Sequence, residues 1–271
     1  MVDRVRAAGA VRPISLDLTS KCNLRCTGCY YYAEGMDRVD HRRDDSAFDA
    51  MIEAEKARGT NFVTVVGGEP ALEPGRLQKL YDNFKMNVAT NGLIRIPYEG
   101  LENMPMGVAI WGSRETDARL RGQPGKDLFS QALANYRGDP RAFFYYTVAP
   151  GHAHEIEPVV REIVDNGNRV LFNYYSDVSE LGGELGYGQG FDAVRREVDR
   201  MIDRYPEFMY TTRYLNEVTT TGRLGDEQWG YEVCTNLSVD NDTNLTGGGV
   251  TKDASSIHVN LIYNPVPKLD F

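Results

Sequence analysis

The stretch Cys22-Asn23-Leu24-Arg25-Cys26-Thr27-Gly28-Cys29-Tyr30 decides how the rest of the chain is read. It gathers three of the four cysteines into one loop, spaced C-x3-C-x2-C. Three thiolates converging from one loop can hold three irons of a cubane cluster, leaving the fourth iron open to a small-molecule ligand. A structural zinc site wants four ligands in short paired spacings, and no second pair follows. A disulfide framework wants an even set of cysteines spread through a small secreted chain. Immediately before the loop, Ile14, Leu16 and Leu18 alternate with Ser15 and Asp17, the period of a half-buried strand. A loop at the C-terminal end of a strand is where barrels and open α/β sheets place their chemistry.

Working outward, the chain alternates strand and helix. Residues 46–58 read as a helix with Phe48, Met51 and Ile52 on its apolar stripe and Gly59 at its end. Residues 62–66 are a continuous run with three valines, suited to a strand buried on both faces, and they lead straight into Gly67-Gly68-Glu69-Pro70. A helix over 77–84 and a strand over 86–90 follow, the strand stopped by Asn91-Gly92. Further strands are expected over 106–111, 142–148 and 169–175, with helices over 127–136 and 154–166 between them. Such alternation predicts parallel strands joined by crossover helices. The pattern then changes. Residues 181–190 hold five glycines and read as a flexible loop or a lid over a site. Residues 191–205 form an amphipathic helix with Val194, Val198, Met201 and Ile202 on one face. Residues 236–249 read as loop and 257–262 as a candidate final strand.

The cysteine loop resembles the cluster-binding motif of the radical S-adenosylmethionine (radical SAM) enzymes. Gly67-Gly68-Glu69-Pro70 after the second strand resembles the segment that meets the methionine end of the cofactor in that family, and Ala89-Thr90-Asn91-Gly92 resembles the end of its third strand. The run from Gly112 to Gly122 resembles the segment after strand four, where a serine and an arginine reach the cofactor carboxylate. Ser113 and Arg121 match it best, with Arg119 as an alternative to Arg121. The resemblance implies a partial (β/α)6 TIM-like barrel over residues 1–190, followed by a short C-terminal helix and irregular extension over 191–271. It implies a [4Fe-4S] cluster on Cys22, Cys26 and Cys29, and S-adenosylmethionine held near Gly67, Gly68, Glu69, Pro70, Asn91, Ser113 and Arg121. A side chain at Gly68 is expected to block the cofactor while sparing the iron, because glycine permits close backbone approach. The sequence departs from the family at Gly28, where an aromatic residue or histidine is usual; Tyr30, Tyr31 or Tyr32 would then contact the adenine.

The implied reaction is reductive cleavage of S-adenosylmethionine to a 5′-deoxyadenosyl radical that takes hydrogen from a small sugar- or amino-acid-derived metabolite, as an oxidoreductase or lyase in biosynthesis. Competing readings are modification of a peptide or protein, including activation of a glycyl-radical enzyme, and a non-enzymatic iron–sulfur carrier or regulator. An electron donor such as flavodoxin or ferredoxin is the expected partner, and Lys21, Arg25, Arg38, Arg42 and Arg43 near the loop suit an acidic one. The 271-residue chain carries a net charge of -9, which argues against a nucleic-acid footprint. No apolar run approaches the roughly 20 residues of a membrane span. The first ten residues lack the apolar core of a secretory signal, and thiolate ligation suits a reducing cytoplasm. His152 and His154 read as a helix start after the fifth strand rather than as metal ligands. Cys234 stands where relatives with auxiliary clusters begin their cysteine-rich extension, but no further cysteine follows. It reads as a buried core cysteine or a thiol that donates hydrogen to a product radical, and one cluster per chain is expected.

Overall fold

The computed structural model describes residues 13–27, 29, 32, 38–175, 191–221 and 235–240. Among the described residues seven parallel strands form one open sheet in the order β6-β5-β4-β3-β2-β1-β7. They are β1 (Pro13–Asp17), β2 (Phe62–Val66), β3 (Lys85–Thr90), β4 (Met106–Ile110), β5 (Ala142–Val148), β6 (Arg169–Tyr174) and β7 (Thr235–Ser238). The helices are α1 (Ser46–Arg58), α2 (Pro74–Asn83), α3 (Arg114–Leu120), α4 (Leu128–Asn135), α5 (Ile156–Asp165), α6 (Asp192–Arg204) and α7 (Arg213–Thr220). The fold is the expected α/β partial barrel, with each of β1 to β6 following its neighbour in sequence and in space.

The two faces of the sheet differ in chemistry. One strand parity (Ile14, Leu16, Val63, Val65, Met86, Val88, Val108, Phe144, Phe172) packs with Phe48, Leu77, Leu80, Phe129, Val160 and Val198 from the helices into the main core. Burial at about 25 cal/mol per Å² makes this layer the principal source of stability. The opposite parity faces the inside of the half-barrel. It presents Ser15, Asp17, Thr64 and Asn87 on β1 to β3, all buried. On β5 and β6 the same face carries Phe143, Tyr145 and Leu171, packed with Tyr210 and Leu215. Gly107 on β4 makes room for this arrangement, since a Cβ there would stand 2.1 Å from the Tyr145 ring.

The region beyond residue 190 is not irregular throughout, which corrects the expected extension. Helix α6 contributes Val194, Val198 and Met201 to the main core. The segment before α7 runs beside β6, with Val170 N–H bonded to Phe208 O and Tyr210 N–H to Val170 O. Strand β7, which overlaps the start of the 236–249 stretch expected to be loop, pairs with β1 in the register Ile14↔Thr235 to Asp17↔Ser238. β1 is therefore bonded on both sides. Among the described residues no helix is long and apolar enough to cross a membrane. Tyr30, Gly28, Tyr31, Cys234, the glycine-rich stretch 181–190 and the candidate strand 257–262 lie outside the described residues.

Candidate iron–sulfur centre

β1 ends at Asp17, Leu18 N–H still bonds Val66 O at 2.9 Å, and the chain then turns into the cysteine loop. Cys22, Cys26 and Cys29 are half-buried and none is in a disulfide. They are close enough to feel one another. Burial pushes the Cys26 thiol up to about 12; Arg121 pulls it down, and charge on Cys29 or Cys22 would raise it further. Burial also raises Cys22, against the amide of Leu24 that donates to its sulfur at 3.5 Å. Tyr32 donates to Leu24 O, and its phenol is raised by burial and by the neighbouring Cys22. Three mutually coupled thiols on one half-buried loop fit a cluster. Among the described residues no three His, Cys, Asp or Glu side chains could hold a single metal ion. Ligation requires the thiolates, so assembly of the cluster releases protons from groups that burial otherwise keeps protonated.

The loop is held from two sides by backbone, and glycine makes both contacts possible. On one side Gly67 and Gly68 adopt φ +79° and +48°. A Cβ on Gly68 would lie 2.0 Å from Lys21 O and 2.7 Å from Thr19 O, and Glu69 N–H bonds Lys21 O at 2.7 Å. On the other side Gly122, at φ +73°, would place a Cβ 2.2 Å from Arg25 O, while Thr27 N–H bonds Leu120 O at 2.7 Å. The sequence reading gave Gly68 to cofactor approach. The structure supplies a nearer reason: the turn rests directly on the backbone of the cysteine loop.

Glu69 is buried, and its carboxylate accepts from Ala71 N–H at 2.9 Å, Thr90 Oγ1 at 2.6 Å and Asn91 N–H at 2.7 Å. Burial raises its pKa against these three bonds and the Arg121 charge. The glutamate thus ties the end of β2 to the end of β3, and Pro70 opens a short 3-10 turn over Pro70–Leu72. Asn91 links the third strand to the loop through Nδ2–H to Asn23 Oδ1 at 2.5 Å, and its Oδ1 accepts from Leu93 N–H. Arg119 is exposed, whereas Arg121 is buried. Its guanidinium binds Asp117 at 3.1 Å and the Asn91 carbonyl. Ser113 sits at the start of α3, its hydroxyl making no capping bond and its N–H donating to Glu155 Oε2 at 2.7 Å. Asn91, Arg121 and the 67–70 turn therefore surround the cysteine loop, while Ser113 stands beside the Glu155 group. His152 joins that group, its ring facing Glu155 at 3.4 Å. Of the basic residues near the loop, Lys21 pairs with Glu73 at 3.0 Å, Arg25 lies over the Tyr32 ring at 4.4 Å, and Arg38 and Arg43 are exposed.

Sequence reasoning did not find Gly122 as part of this framework, because it carried only the ordinary turn signal of a glycine after a helix.

A sequence profile described as a 4Fe-4S single cluster domain matches residues 11–101, which span the cysteine loop, the 67–70 turn and β3. Among solved structures the fold is similar to anSMEcpe with bound AdoMet and a Cp18Cys peptide (TM-score 0.58, 19% identity, covering 84% of this chain and 72% of that one). It is also similar to Streptococcus suis SuiB bound to S-adenosylmethionine (0.53, 14%, 88% and 61%) and to TYW1 with a lysine–pyruvate adduct (0.50, 12%, 71% and 73%). The chain thus spans about three fifths of the length of SuiB. No curated protein matches the sequence. These likenesses show the fold; the cysteine spacing and the cluster-domain match add the site. The C-x3-C-x2-C loop at the end of the first strand, the 4Fe-4S cluster-domain profile that spans it and the open parallel sheet accompany this likeness to S-adenosylmethionine-bound structures.

Proposed function

We propose that the protein is a radical SAM enzyme acting on a small polar metabolite bound inside the half-barrel. The observation that carries the substrate class is the inner face of the sheet. Ser15 and Thr64 are register partners, as are Thr64 and Asn87, so they form one polar layer. Among the described residues Thr64 Oγ1 and Asn87 Oδ1 are buried without a hydrogen-bond partner. Buried polar atoms are ordinarily satisfied, so such a layer suits a polar ligand or ordered water. β1 and β6 each already carry a neighbour from the chain itself, β7 and the segment around Met209, which favours a small guest over a strand added at either place.

A [4Fe-4S] cluster and S-adenosylmethionine held there would supply one-electron reductive chemistry for removing hydrogen from the substrate. The chain's part is to hold and enclose. Cys22, Cys26 and Cys29 would ligate three irons. The 67–70 turn, Asn91 and Arg121 would frame the cofactor side of the loop, with Ser113 set farther out. Tyr30, Tyr31 or Tyr32 would contact the adenine, and Cys234 would be a buried core cysteine or a hydrogen donor to a product radical. An acidic electron donor of the flavodoxin or ferredoxin kind would meet the exposed Arg38 and Arg43 beside the loop.

A peptide substrate is the second reading, because the anSMEcpe structure contains one. Anaerobic incubation of the reconstituted protein with a deuterated metabolite extract, and in parallel with a deuterated peptide library, separates the two. Deuterium in 5′-deoxyadenosine from the metabolite arm supports the proposal; transfer from peptides alone refutes it.

A further inference from the structure

Asp240 follows β7, far in sequence from the cysteines, and belongs to none of the groups assigned above. The β1·β7 pairing continues past the strands, with Val239 N–H bonded to Asp17 O at 3.0 Å, which brings Asp240 level with the start of the cysteine loop. Its side chain is 1% exposed. One oxygen accepts from Ser20 N–H at 2.6 Å and faces His41 Nδ1 at 3.1 Å; the other accepts from Arg42 N–H at 3.1 Å and from Arg76 Nη1 at 3.1 Å. Arg76, 3% exposed, spreads its guanidinium over the same backbone. It donates to Leu18 O at 2.9 Å, Arg42 O at 2.9 Å and Asp45 Oδ1 at 3.0 Å.

The two side chains thus grip both ends of Leu18–Ser20, the three residues between β1 and the Lys21–Cys22 step. They also hold Arg42, on the segment that leads into α1. Resting on the cluster reading above, we propose that Asp240 and Arg76 are positioning residues for the iron–sulfur centre: the C-terminal strand delivers a carboxylate that fixes the direction in which Cys22 leaves β1. The chemistry is specific to these residue types. A carboxylate offers two acceptor oxygens to the Ser20, Arg42 and Arg76 donors, whereas an amide offers one and turns an NH2 toward the rest. Guanidinium donors diverge in a plane and reach several acceptors, which a single ammonium cannot. Partners one step removed from metal ligands typically change metal retention by about 10–100-fold.

A matched control exists in the same molecule. Asp139 and Arg141 form an equally buried pair, with side chains 0% and 2% exposed, and Arg141 donates to Pro97 O and Leu101 O just before β5. The test uses the full, cluster-reconstituted chain under anaerobic conditions and follows iron release to a chelator. It also follows the thermal midpoint and the rate of cysteine alkylation in the cluster-free protein. Asp240→Asn should release iron at least ~10-fold faster and expose its thiols to faster alkylation. Asp139→Asn should lower the thermal midpoint but release iron at the wild-type rate. Arg76→Lys carries the same comparison if Asp240→Asn does not fold. Wild-type iron release in the foldable variant, or equal acceleration in Asp139→Asn, overturns the inference. A wild-type protein that holds no cluster at all would instead sink the cluster reading on which it rests.

Discussion

Gly68→Ala puts the two explanations for the 67–70 turn in direct competition. The substituted Cβ would stand 2.0 Å from Lys21 O, where ordinary contact begins near 3.4 Å, so one backbone must withdraw by roughly 1.4 Å. Withdrawal breaks the 2.7 Å bond from Glu69 N–H to Lys21 O, worth about 1 kcal/mol. The residue would also keep φ near +48°, which costs a non-glycine residue about 1–2 kcal/mol. Together these give a loss of roughly 2–3 kcal/mol, concentrated one residue before Cys22. The comparison is Gly75→Ala, in the first turn of α2, where a Cβ meets nothing within 4 Å and helix propensity favours alanine by up to about 1 kcal/mol. Urea unfolding of the cluster-free proteins measures the stability difference, and iron per chain after reconstitution measures the loop. Gly68→Ala should lose both stability and iron, while Gly75→Ala should keep both. If Gly68→Ala retains full stability and iron yet fails to cleave S-adenosylmethionine, the glycine serves the cofactor and the packing argument is wrong.

Replacing Cys22, Cys26 and Cys29 together by alanine should remove nearly all bound iron, and the wild type should hold about four irons from one cubane; Cys234→Ala should leave that count unchanged, and a content near eight that halves in this variant would reveal a second cluster. Arg121→Met leaves Asp117 charged and buried, so urea unfolding should show a loss of about 3–5 kcal/mol, with a weaker cluster because Asn91 O also loses its donor. Glu155→Gln tests a pH dependence. Burial pushes the Glu155 carboxyl up, but the Ser113 amide, Thr116 and His152 outweigh it and leave the pKa below the ordinary glutamate value. A depressed folded pKa gives stability that is present above the unfolded pKa of about 4.3 and is lost as pH falls through the folded value. Unfolding free energies should therefore differ by about 1–2 kcal/mol at neutral pH, and the gap should shrink as the pH falls below the unfolded value of about 4.3; a gap that does not change with pH would show that the carboxylate charge is irrelevant.

Much of this fold was legible because its signals are local. The strand of residues 142–148 and the helix of residues 46–58 emerge with the bounds their composition predicts, since aromatic and β-branched runs and apolar helical spacing need no distant partner. Helix α7 and strand β7 were not legible. The sequence RYLNEVTT carries three residues of low helix propensity in its last turn; Thr212, which caps Leu215 N–H, and the buried Val218 and Asn216 make it a helix. The strand TNLS has no run of apolar residues, and pairing with β1 gives it its form. The candidate site divides the same way. The cysteines and Gly67-Gly68-Glu69-Pro70 are chain neighbours of strand ends and announce themselves. That Gly68 rests on Lys21 and Gly122 on Arg25 depends on how three loops meet, which no local pattern encodes.

The seventh strand changes what the first strand can do. In an open six-stranded sheet β1 would be an edge, and edge strands open at low free-energy cost. A loop launched from a fraying strand would spend part of its time with its thiols misdirected, and the cluster would have to order it on binding. With β7 in place β1 is paired with a neighbour on each side from Ile14 to Asp17, and Leu18 and Ser20 are then fixed by Arg76 and Asp240. The ordering cost of this segment, about 1–2 kcal/mol for each residue fixed, falls on folding rather than on cluster assembly. The same logic explains the two glycine contacts, because a loop that must present three sulfurs at once gains most from being clamped near its beginning, at Lys21, and at its middle, at Arg25. The region beyond residue 190 is therefore part of the cluster site in physical terms: it supplies the strand that steadies β1 and the carboxylate that aims the loop.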